Sequence, residues 1–152
     1  MSRRVRLILL LVGAIWTAPN TLLGVLVGSL GLLRGSRCAV RDGALAFLDY
    51  PWGPRGALTL GQVILVRGTH LDARFCTYAD RAAGKREGTV NTVRLGDHEF
   101  AHVCQYLLFG PLFLPLYLMC GGISARNPFE RAADRYALGQ GDWWPWGRMR
   151  TP

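Results

Sequence analysis

The chain's 152 residues suit one domain, with no repeat or low-complexity region to suggest more. Seventeen arginines against one lysine dominate a net charge of +8, and many flank apolar segments, which points to anionic lipid headgroups as partners; nothing resembles a nucleic-acid module. Cys38, Cys76, Cys104 and Cys120 lie far apart without CxxC spacing, which argues against a structural zinc knuckle and against a disulfide framework.

From Leu7 to Leu33 no side chain is charged over 27 positions. As one helix this run measures about 40 Å, enough to cross a hydrocarbon core of roughly 30 Å with tilt. Pro19-Asn20 interrupts it and leaves arms of about a dozen residues, each about 18 Å long and too short to span alone. A kinked membrane helix and a re-entrant helical hairpin both fit. Arg3, Arg4 and Arg6 precede the run and Arg34, Arg37 and Arg41 follow it, a symmetry that slightly favours a hairpin with both ends cytoplasmic. The run is longer than the apolar core of a signal peptide and lacks a clear small-x-small cleavage site. Residues 1–37 are therefore expected to be a membrane anchor.

Val40 to Leu95 reads as short strands joined by turns. Ala44–Leu48, Ala57–Val66 and Thr89–Leu95 are the strand candidates, and the prolines and glycine of Tyr50-Pro51-Trp52-Gly53-Pro54 demand a turn between the first two. Asp80 to Gly88, with Arg81, Lys85 and Arg86 among small residues, is expected to be an exposed loop.

His98-Glu99-Phe100-Ala101-His102 carries the chemistry. On a helix, positions i and i+4 share a face, so both imidazoles can reach one metal ion while Glu99 points at a water bound to it. The next segment, Val103 to Ile123, is free of charge, and Gly110-Pro111 should stop the motif's helix at about Phe109. Zinc needs a third protein ligand and, for catalysis, an open fourth position. His70 lies upstream in a loop-like stretch; downstream, Glu130 and Asp134 are four apart and would share a helix face. Glu130 can bind the metal while Asp134 fixes a ligand histidine through its other ring nitrogen. A capping box from Asn127 through Pro128 to Glu130, closed by Gly139, explains Glu130 without any metal. It does not explain Asp134. Trp143-Trp144-Pro145-Trp146, with Arg148 and Arg150, suits the headgroup level of a bilayer.

HEFAH followed by Glu130-x-x-Ala133-Asp134-Arg135 resembles the gluzincin pattern of zinc metallopeptidases, and the Ala-Asp-Arg ending is similar to the HtpX and CAAX-prenyl-protease group of membrane-bound enzymes. Gln105 and Tyr106 resemble the HExxHxxQ helix of small metallopeptidase domains in bacteria. The resemblance covers roughly residues 94 to 139. It implies His98, His102 and Glu130 as ligands of Zn2+, Glu99 as general base, Asp134 behind a ligand histidine, and a bacterial inner membrane as the location. The expected fold is α+β and mainly helical: an N-terminal membrane helix or helical hairpin, short strands, then a zincin-like active-site helix pair within a catalytic unit at 38–139, and a Trp/Arg-rich tail at 140–152. The expected function is hydrolysis of peptide bonds in a peptide or protein substrate at a lipid bilayer, with Tyr117, Tyr136, Arg135 and His70 as candidates to stabilise the oxyanion. The alternative is a small non-catalytic membrane protein whose HExxH helix is structural or binds metal without turnover.

Overall fold

The computed structural model describes residues 3–41, 43–54, 56–85, 90–140 and 143–147, with side chains from residue 12 onward except residue 14. The chain is mixed α/β and about half helical. Helix α1 (Arg3–Leu32) is followed by strands β1 (Arg37–Arg41), β2 (Ala44–Leu48), β3 (Ala57–Leu60), β4 (Val63–Val66) and β5 (Arg74–Cys76). Then come α2 (Tyr78–Ala82), β6 (Thr92–Arg94), α3 (Leu95–Phe109), α4 (Phe113–Met119) and α5 (Pro128–Arg135). The first four strands form a sheet in the order β1-β2-β4-β3, antiparallel except for the parallel β2/β4 pair, so β3 is an edge strand; β5 and β6 make a separate antiparallel ribbon.

Both faces of the four-stranded sheet are covered. On one face Phe47, Leu60, Val63 and Leu65 pack against Val25 and Val27 of α1. On the other Ala44, Ala46, Ile64 and Val66 pack with Leu95 and Val103 of α3. Strand alternation does this sorting, because neighbouring residues of a strand point to opposite faces. The near-continuous apolar runs of β2 and β4 follow from it, since a strand buried on both sides has no polar face to show.

Helix α1 is continuous through Pro19, so the helical hairpin that charge symmetry favoured is not formed. Proline removes one backbone donor, a loss local to one turn. Both sides of Pro19 are docked: Trp16 Nε1 donates to the Leu108 carbonyl (3.4 Å), Asn20 Nδ2 donates to the Gly110 carbonyl (3.2 Å), and Thr21 Oγ1 accepts from the Gln62 amide (3.1 Å). These contacts hold one axis where the isolated sequence suggested two short arms. The face turned to the protein carries Thr17, Asn20, Gly24, Gly28 and Gly31, whereas Ile15, Leu22, Leu26 and Leu30 are more than half exposed. This helix is inside out relative to one on a water-soluble domain. Ile15–Leu32 and the broken stretch Leu95–Met119 are both long and apolar enough to cross a membrane, properties shared with core helices and signal sequences.

Several expected elements are corrected. Ala57–Val66 is two strands, not one, because Gly61 takes φ +63° and turns the chain between Leu60 and Val63. Strand β1 was not anticipated: it is an edge strand with four of its five residues exposed, and so lacks the alternation that marks a strand in sequence. Asp80 is not in an exposed loop. It is buried in α2 and accepts from the Asn91 amide (2.7 Å), and Lys85 lies 2.6 Å away; these partners hold its carboxyl down at about 2. Arg86 and Gly88 of that loop lie outside the described residues, as do Arg148 and Arg150. The third strand is Thr92–Arg94, shorter than expected. As expected, α3 ends at Phe109 and Asn127 caps α5 with Pro128 in its first turn.

The closeness of α1 to the sheet rests on glycine. A Cβ at Gly28 would lie 2.3 Å from the Phe47 ring, which is itself buried. Gly28→Ala should therefore destabilise the protein by about 1–3 kcal/mol, seen as a lower denaturant midpoint in detergent. Ser29→Ala, at an exposed neighbour, should leave the midpoint unchanged.

Candidate metal centre

Helix α3 places His98, Glu99 and His102 on its buried side, and α5 crosses it to bring up Glu130 and Asp134. His98 Nε2 lies 3.0 Å from Glu130 Oε2, and His102 Nε2 lies 3.6 Å from the same oxygen. Ligand atoms of these three residues all fall within 4.8 Å of one another, and each side chain is almost wholly buried. Four-coordinate zinc with bonds of about 2.0–2.2 Å spaces neighbouring donors roughly 3.3–3.6 Å apart, a range the two shorter separations bracket. The donor set, two imidazoles and a carboxylate, is one that can hold a metal ion.

Glu130 is not spent on capping its own helix. The cap is made by Asn127 Oδ1, which accepts from the Phe129 amide (3.0 Å), while the Asn127 amide donates to the Ser124 carbonyl. Glu130 instead faces the histidines and accepts a hydrogen bond from the Tyr117 hydroxyl. Burial would raise its carboxyl pKa, but His102 and His98 outweigh burial and hold it well below the usual carboxylate range.

Each histidine is oriented from behind. His98 Nδ1 lies 3.1 Å from Asp134 Oδ1, a charge contact rather than a well-aligned hydrogen bond, and the Tyr78 amide donates to Asp134 Oδ2 (2.7 Å). The His98 ring sits between Phe75 and Tyr78, with ring centres 5.2 and 5.7 Å away. For His102 the orienting group is Gln105. Gln105 Nε2 donates to the carbonyls of Phe129 (3.2 Å) and Trp143 (3.1 Å), and since carbonyls only accept, its Oε1 must be the atom 2.8 Å from His102 Nδ1. Nδ1 therefore carries a proton, and Nε2 is the nitrogen turned to Glu130. An imidazole nitrogen and a carboxylate oxygen 3.6 Å apart in a buried place need a cation between them, a proton or a metal.

Glu99 stands beside this cluster, its Oε2 accepting from Thr59 Oγ1 of β3 at 2.7 Å, and both residues line a cavity shared with His98, His102, Tyr117 and Glu130. Of the four side chains expected as oxyanion stabilisers, Tyr117 alone lines that cavity. His70 is exposed on the β4–β5 connection, Tyr136 packs on Phe100, and Arg135 donates to the Trp144 carbonyl. Tyr78, which the sequence did not single out, lines the cavity too, and burial, then Glu130 and Glu99, push its pKa up so that it stays protonated. Thr59 and Gln105 were also without an assigned role; the HExxHxxQ spacing was the available signal for Gln105, and Thr59 left none. The tail from 143 to 147 packs Trp144 and Trp146 on Phe109. All four cysteines are free thiols.

No known protein family matches the chain, and no curated protein or solved structure is significantly similar to it.

Replacing Gln105 with Leu removes the acceptor that sets the His102 ring while keeping an apolar body of similar bulk. Affinity for a divalent metal ion, read by competition with a chromophoric chelator, should fall about 10- to 100-fold with the fold retained. Unchanged affinity would show that the ring is held by something else.

Proposed function

We propose that the protein is a membrane-associated zinc metallopeptidase of gluzincin type, in which α3 and α5 are the zincin-like active-site helix pair and His98, His102 and Glu130 hold Zn2+. The observation that carries this reading is the convergence of those three side chains from two helices, with Glu99 on the wall of the same cavity. When bound, zinc would lower the pKa of a water molecule and polarise the scissile carbonyl.

The chain's own residues supply the rest. Glu99 accepts the water's proton and passes it to the leaving amine, with Thr59 fixing the rotamer of its carboxylate through one oxygen. Asp134 and Gln105 keep the two imidazoles turned inward. Tyr78 and Tyr117 are the hydroxyl donors nearest the developing oxyanion, Tyr78 remaining protonated throughout the physiological range. Thr59 also ties the site to β3, whose outer edge is unpaired among the described residues. An extended peptide adding to that edge would lie across Glu99 with its main chain hydrogen-bonded to the protein.

The inside-out surface of α1 supports the membrane location. Exposed leucines on one face and glycines on the other are what a helix shows when lipid, not water, is its outer solvent. We assign the protein to the bacterial inner membrane, with anionic headgroups as the partners of the arginines flanking α1 and no role for nucleic acid.

Two experiments test these readings. Glu99→Gln keeps both histidines and the bulk of the side chain but cannot accept a proton, so zinc should remain stoichiometric while hydrolysis of a casein-like substrate falls about 10²-fold or more. His102→Ala should lose both. Equal, chelator-insensitive behaviour of wild type and Glu99→Gln with zinc bound would identify a metal site without turnover. Separately, Leu22→Ser with Leu26→Ser and Leu30→Ser should weaken membrane association in flotation assays, since the three positions face away from the sheet. Undiminished flotation would remove α1 as the anchor.

A further inference from the structure

The cleft beside Glu99 opens into two cavities of unlike chemistry that meet at Ala57, Tyr78, His98 and Glu99. The inner one has a volume of about 50 Å³ and is the cavity of the metal centre itself, lined by Glu99, His102, Tyr117 and Glu130 as well as by apolar Leu58 and Phe113. At about 10–15 Å³ for each water-sized occupant, it has room for about four waters, space that a metal ion and the bond being cleaved would take up.

The outer cavity, about 540 Å³, runs between Gly56-Ala57 at the start of β3 and Ala73 to Phe75 of the β5 ribbon. Arg74 and Arg81 line it, and both are exposed. Arg74 donates one long bond, 3.5 Å, to Thr92 Oγ1, and the Arg81 guanidinium lies 5.4 Å from the centre of the Tyr78 ring. Among the described residues neither is paired with a carboxylate. Ala57 of β3 lines both cavities, so a chain laid along that edge passes from one into the other.

We infer that this cleft selects an extended polypeptide with acidic residues on one side of the cleaved bond. The inference rests on the peptidase reading for the bond but not for the binding. The outer groove presents two guanidiniums, which pair with carboxylates and repel cationic side chains.

The test separates binding from hydrolysis. Full-length Glu99→Gln protein, zinc-loaded in detergent, is titrated with fluorescent decapeptides carrying a central leucine flanked on one side by Asp, Asn or Lys pairs, in both chain directions. In one direction the Asp peptide should bind about tenfold tighter than the Asn peptide and the Lys peptide most weakly, the spread shrinking at high salt. Adding Arg74→Glu and Arg81→Glu, surface changes whose folding is checked by circular dichroism and zinc content, should reverse the Asp/Lys order. Equal affinity for Asp, Asn and Lys peptides, or an order unaffected by the two arginine changes, overturns the inference. Failure of every peptide to bind while wild type still digests casein overturns it too and leaves the peptidase reading standing. Charge-ordered binding without any wild-type hydrolysis upholds the inference and overturns the peptidase reading alone.

Discussion

A buried carboxylate oxygen facing two buried imidazole nitrogens is the constraint around which the α3–α5 side of this protein is arranged. Such a grouping is stable only with a cation at its centre, and only if each ring is prevented from turning away. The two rings are held by different means. Asp134 comes from the same helix as Glu130 and is itself fixed by the Tyr78 amide, so α5 and the start of α2 jointly face His98. Gln105 lies on the same helix as His102 and takes its orientation from the Phe129 and Trp143 carbonyls. The entry to α5 and the packed tail thus reach His102 through a single amide.

The sheet serves as a partition between two environments. Its α3 face carries Thr59 to Glu99, and its other face receives α1. The tight approach of α1 is permitted by Gly24 and Gly28, and it leaves that helix's leucines outward. The apolar N-terminal segment is at once part of the core and the surface best suited to lipid. Residues 1–37 and the sheet therefore share packed residues, and a cut at residue 37 would strip one face of the sheet.

Much of the site was legible in sequence because its information is local. The i, i+4 spacing of His98 and His102, and of Glu130 and Asp134, places each pair on one helix face whatever the surroundings. The Gly110-Pro111 stop and the Asn127-Pro128 start depend on backbone chemistry confined to a few residues. The capping-box explanation of Glu130 was equally local, and it failed because a carboxylate in a first helical turn can serve the helix or a neighbouring element. Only the position of α3 chooses between them.

What sequence determined by itself, then, was the existence of the motif helix, the identity of the residues that α3 and α5 present, and the uncharged length of α1. Tertiary structure decided the rest, because each remaining feature depends on groups far apart in the chain. Pro19 is tolerated in one continuous helix because Leu108 docks Trp16 before it while Gly110 and Gln62 dock Asn20 and Thr21 after it. Thr59 meets Glu99 across 40 positions and Tyr78 meets Asp134 across 56, contacts with no periodicity to betray them. Arg37–Arg41 becomes a strand by pairing with β2, a pairing that makes no demand on side chains facing solvent. Local spacing specifies which atoms can act together on one helix; only packing specifies which helices, strands and carbonyls they act against.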